Sequence, residues 1–186
     1  MFVEISQMQR LIVFLGHPTY SLSVVLFSLL VSSGVGSYLT SSVEVRGATG
    51  PAARLLLLLL AVLFVFGTVS PSVIRGYQES TTPVRVLLVT GMLFPLGLCM
   101  GMAFPLGMRL ASGRAPALTP WLWGVNGATS VCASVLAIVI ALSSSISAAF
   151  WTGVACYGAA LIAFAQAAAG TDEPAAAAPE AHRRER

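Results

Sequence analysis

Charge is what this chain has least of. It contains no lysine and a single aspartate, and only 9% of its 186 residues are charged. An average soluble domain carries roughly 25%. Within residues 1–169 there are seven Arg and three Glu, too few to clothe a water-soluble surface. This scarcity excludes a soluble globular enzyme, a nucleic-acid binder and a disordered protein. Histidine is nearly missing too: His17 precedes a proline and His182 lies near the end of the chain. There is no GxGxxG after a strand, no P-loop, no HExxH and no paired CxxC. Nothing positions a Ser/His/acid set, so no catalytic residue, metal site or cofactor is expected. The three cysteines, Cys99, Cys132 and Cys156, fall inside apolar runs and read as free thiols packed in helices.

What the chain does have is apolar length. Hydrophobic residues make up 56% of it and the mean hydropathy is +0.86. A hydrocarbon core about 30 Å thick needs ~20 helical residues to cross. Five runs meet that need, at about 20–39, 55–70, 84–104, 121–142 and 147–168. Helices are expected, because an open sheet edge in lipid leaves backbone groups unpaired. The expected fold is an all-α, polytopic transmembrane bundle over 1–169, followed by a disordered tail at 170–186 made of Ala, Pro and charge.

The opening segment, 1–16, is different. It is apolar but short, and it carries Glu4, Gln7, Gln9 and Arg10. It lacks the basic start and the small-residue cleavage site of a secretory signal. Two readings remain: an amphipathic helix lying in the interface, or the second half of a membrane helix. Gly16-His17-Pro18 ends it, since Pro18 disfavours helix at His17. A buried Glu4 needs a partner, and Gln7 or Arg10 is nearest in sequence.

Arginine placement sets the orientation. Arg46, Arg54, Arg109, Arg114 and the tail arginines fall on one side; Arg10, Arg75 and Arg85 fall on the other. The richer side, with the 40–54 and 105–120 loops and the C-terminus, is expected in the cytoplasm.

Small residues recur where lipid-embedded helices can approach closely. Ser28, Ser32 and Gly36 repeat every four residues, Gly97 and Gly101 form a GxxxG, Gly127, Ser134 and Ala141 repeat every seven, and Ala155 and Ala159 recur beside Gly153 and Gly158. Close packing is expected of all four stripes. Pro95 should kink the third span and could flank a cavity, and Pro105 should end it, one turn before Arg109. Trp121 and Trp123 suit a membrane–water interface. Asn126, one turn further in, should bond a neighbouring helix or contact a ligand.

Several strings occur together in order. They are Phe2-Val3-Glu4-Ile5, Phe14-Leu15-Gly16-His17-Pro18, Ser33-Gly34-Val35-Gly36-Ser37, Phe104-Pro105-Leu106-Gly107-Met108-Arg109 and Trp123-Gly124-Val125-Asn126-Gly127. The set resembles the membrane-embedded C-terminal region of bacterial multi-pass spermidine-synthase-like proteins, also described as fused transporter-like/spermidine synthase proteins. The likeness runs over about 1–168. It implies a bacterial inner-membrane protein whose relatives carry a soluble aminopropyltransferase-like domain with a Gly-rich donor loop and acidic amine-binding residues. None of those residues occurs here. The resemblance places Met1 inside a family helix, which favours the half-helix reading of 1–16. Two functions follow as expectations. One is a non-catalytic membrane module that anchors or partners an aminopropyltransferase-like protein. The other is a small transporter or half-transporter for polyamines, acting as a homo-oligomer with a cavity near Glu4, Pro95 and Asn126.

Overall fold

The computed structural model describes residues 1–43, 45 and 50–169. Six α-helices account for nearly all of them: α1 (Phe2–Leu15), α2 (Pro18–Leu39), α3 (Pro51–Gly76), α4 (Thr82–Arg114), α5 (Thr119–Ser143) and α6 (Ile146–Ala169). No strand occurs among the described residues. The last five helices are long and apolar enough to cross a membrane, and the chain is an integral membrane protein. Arg46 and the tail at 170–186 lie outside the described residues.

The helices overrun the apolar runs that announce them. α3 passes through Pro71 to Gly76, and α4 passes through Pro95 and Pro105 to Arg114. Pro105 therefore does not end a span, and much of the expected 105–120 loop is helix. Each proline removes one backbone donor, a loss that packed membrane helices tolerate. Proline instead marks the starts: Pro18, Pro51, Pro83 and Pro120 each sit in the first two positions of a helix, where the N–H has no intrahelical partner.

α2 and α4 form the tightest pair. A Cβ added to Gly36 would collide with the Leu98 carbonyl, one on Gly101 with the Ser33 backbone, and one on Gly97 with the Ser32 side chain. Backbone thus lies against backbone. Ser32 Oγ turns inward to its own helix, donating to the Ser28 carbonyl at 2.6 Å, so the seam carries no unpaired hydroxyl there.

The other two stripes do not pack as expected. α5 lies at the margin of the bundle, and Ala137 is its only buried residue. On α6 the packed face is Ala149, Phe150, Gly153 and Val154, while Ala155 and Ala159 are exposed. Spacing identifies a small-residue stripe but not which face of the helix meets a neighbour.

α1 packs against the other helices. Val3, Ser6, Gln7, Leu11, Phe14 and Leu15 are buried, and the helix runs antiparallel to α6 inside the bundle. Its start meets Gly153, where Phe2 and Val3 fill the space a Cβ would need. Further along, Arg10 reaches Ser147 at the start of α6. At 1.5 Å per residue, α1 is about 21 Å long against about 36 Å for α6. It therefore reaches roughly half-way along its neighbour. Gly16, at φ 80°, closes it with a left-handed turn, and its N–H donates to the Ile12 carbonyl.

Candidate functional site

An apolar groove of about 820 Å³ lies between α3, α4, α5 and α6. Leu59, Met100, Phe104, Leu122 and Phe164 form much of its wall, and Arg114 is the only charged residue in it. A second hollow, about 590 Å³, lies beside the start of α1 against α5 and α6. Asn126, Tyr157 and Ala160 border both spaces.

Asn126 does not tie two helices together. Its side-chain amide makes no hydrogen bond among the described residues and faces the junction of the two spaces. Glu4 lies close by, within electrostatic reach of the Tyr157 phenol. Its carboxylate does not pair with Gln7 or Arg10; Oε2 pairs with the Met1 amino group at 3.3 Å. Helix geometry explains the miss for Arg10. Six residues carry Arg10 about 120° round the helix and about 9 Å further along it. Gln7 is fully buried, and neither its Nε2 nor its Oε1 finds a partner.

Arg10 serves as a clamp. One guanidinium nitrogen donates to Ser70 Oγ on α3 at 3.0 Å and another to Ser147 Oγ on α6 at 2.9 Å. Two further arginines act similarly. Arg85 on α4 donates to the Phe14 carbonyl at 3.1 Å, stands 5.7 Å from that phenyl centroid and also donates to the Gln78 carbonyl. Arg109 donates to the Thr40 carbonyl at 2.7 Å, joining the far end of α4 to the end of α2. These charge-assisted bonds go to carbonyls at or just past helix ends.

The remaining candidates are dispersed. His17 is exposed and caps α2 with its backbone: its carbonyl accepts from Ser21 Oγ at 2.6 Å. Pro95 is exposed and lines neither of these two spaces. The groove instead runs along the Pro105 turn, past Phe104 and Gly107. Trp123 is exposed, with its ring edge-to-face on Phe104 at 4.9 Å. Cys99 is buried, Cys132 and Cys156 border the second hollow, and all three thiols are free. Among the described residues no three His, Cys, Asp or Glu gather as metal ligands would.

Tyr157, Ser70 and Ser147 are contributors that the residue pattern alone does not single out. Tyr157 has the one available signal, a lone phenol in an apolar run. Comparison with protein-family models, with curated proteins and with solved structures returns no match to this chain.

Proposed function

We propose that this chain is a non-catalytic membrane module that anchors or partners a soluble aminopropyltransferase-like protein at the bacterial inner membrane. The observation that supports it is the use made of arginine. Arg10, Arg85 and Arg109 each join one helix to another, so scarce charge is invested in holding the bundle together rather than in a reaction centre. The module should co-purify from its native membranes with a soluble protein identified by mass spectrometry as aminopropyltransferase-like, and the eluate should transfer aminopropyl groups. Elution without that protein or that activity rejects the reading.

In this proposal the end carrying Arg54, Arg109 and Arg114 faces the cytoplasm, where positive residues accumulate. Alkaline phosphatase fused after Ala169 should then be inactive in whole cells. An active fusion reverses the placement.

A second reading, a small carrier for polyamines, rests on one observation: Asn126 and Tyr157 border both spaces, and Glu4 lies within electrostatic reach of Tyr157. A carboxylate among membrane helices is commonly functional. On this reading proteoliposomes take up labelled spermidine, and Glu4→Gln lowers the rate at least tenfold. Equal uptake by parent, variant and empty liposomes removes the carrier.

A further inference from the structure

We infer that Arg54 and Arg114, at one end of the bundle, bind the phosphates of anionic lipid headgroups. Depth supports this first. Exposed aromatic side chains mark where the hydrocarbon core of a membrane ends. Tyr20 and Tyr38, both exposed, stand 18 residues apart on α2, or about 27 Å. A hydrocarbon core is about 30 Å thick. Trp121 and Trp123, at the start of α5, are exposed at the Tyr38 end. Arg54 and Arg75 are 21 residues apart on α3, or about 32 Å, so they stand at the two edges of the same core. Arg109 meets the Thr40 carbonyl, just past Tyr38. Arg114 lies five residues further along α4, about 7.5 Å beyond that level. Headgroups add roughly 5–8 Å to each side of the core. Arg54 thus borders the phosphate layer and Arg114 lies within it.

The arginines at the two ends are also used differently. Arg10 donates to the Ser70 and Ser147 hydroxyls, Arg75 to the Pro71 carbonyl, and Arg85 to the Phe14 and Gln78 carbonyls. Among the described residues at the Tyr38 end, only Arg109 is tied in this way. Arg54 and Arg114 are exposed, and among the described residues neither donates to a protein acceptor or pairs with an acid. Glu4 pairs with Met1, and Glu79 follows α3 at the opposite end.

A guanidinium stays charged and presents a planar fork of N–H donors that matches two phosphate oxygens. Among headgroups the phosphate is the abundant acceptor, and a lipid of net negative charge attracts the cation more than a zwitterion does. One Arg near such a surface confers about a fivefold preference. The aromatic belt puts both charges at lipid depth, which favours a lipid over an acidic soluble protein.

The test titrates the full chain, in a mild nonionic detergent, with phosphatidylglycerol or phosphatidylethanolamine and resolves the bound lipids by native mass spectrometry. The parent should bind phosphatidylglycerol about fivefold more tightly at its first two sites. Arg54→Gln and Arg114→Gln should each remove the preference at one site, and the double variant should treat the two lipids alike. Arg75→Gln, at the tied end, should keep the parent's preference. Inorganic phosphate at the same concentration should displace no lipid. Equal affinities in the parent, an unchanged preference in the double variant, or an equal loss in Arg75→Gln overturns the inference. Displacement by inorganic phosphate overturns it too, by assigning the sites to a free anion. So does a native-membrane eluate in which the double variant loses an acidic protein and no phosphatidylglycerol. The substituted side chains are exposed, so circular-dichroism melts should match the parent; if the double variant does not fold, the single variants decide.

Discussion

Gly101→Val should prevent the bundle from assembling. The added carbons would enter the backbone of Ser33, and backbone cannot rotate aside as a long side chain can. α2 and α4 would have to separate along the seam that also holds Gly36 and Gly97. Overpacking in a tight core typically costs 1–3 kcal/mol, and a clash with main chain on a helix–helix seam belongs at or above the top of that range, about 3 kcal/mol. The control is Gly91→Ala on the same helix. Nothing lies within 4 Å of that site, which is exposed. Replacing a helical glycine there should stabilise by roughly 0.8–1 kcal/mol. Thermal melts in a mild detergent, followed by circular dichroism, check both. A Gly101→Val protein that melts like the parent would mean that α2 and α4 are not in backbone contact.

Arg10→Met should cost about 3 kcal/mol, because hydrogen bonds to a charged group contribute roughly 1.5–3 kcal/mol each and methionine keeps most of the stem's volume. Ser70, which is fully buried, would lose its side-chain donor, and Ser147 would lose the tie to α1. Arg10→Lys should recover only part of the loss. An ammonium is a point donor and cannot fork between two hydroxyls as a guanidinium does. The order parent, Lys, Met in melting temperature is the expected result. If the Met variant equals the parent, the three-helix clamp carries no weight.

The two cases differ in how far the residue pattern anticipates them. The four-residue repeat through Ser28, Ser32 and Gly36 and the Gly97/Gly101 pair are local signals, and they become the α2–α4 seam. The same kind of signal on α5 and α6 does not. Ala155 and Ala159 are exposed because the neighbour of α6 presents itself to Gly153 instead. A stripe states that close approach is possible; only the arrangement of all helices states where it happens. The Arg10 clamp leaves no local trace at all, since its two serines lie 60 and 137 residues away. Pro95 and Pro105 mislead in the opposite direction. They interrupt the donor pattern of α4 without ending it, as neighbouring helices support the backbone on either side. For the candidate site, Glu4 and Asn126 stand out as polar residues in apolar surroundings. Their approach to Tyr157 depends on how α1, α5 and α6 pack together, a tertiary fact.

The close fit of α2 on α4 also governs what motion the protein permits. A slide of one past the other by a single residue would drive Cβ atoms into main chain, so this pair behaves as a keel with one allowed register. α5, with only Ala137 buried, meets α4 through the Phe104–Trp123 ring pair and the Ser112–Thr119 hydroxyl contact. Any rearrangement that widens or narrows the space between α4 and α5 therefore moves α5 against a fixed spine.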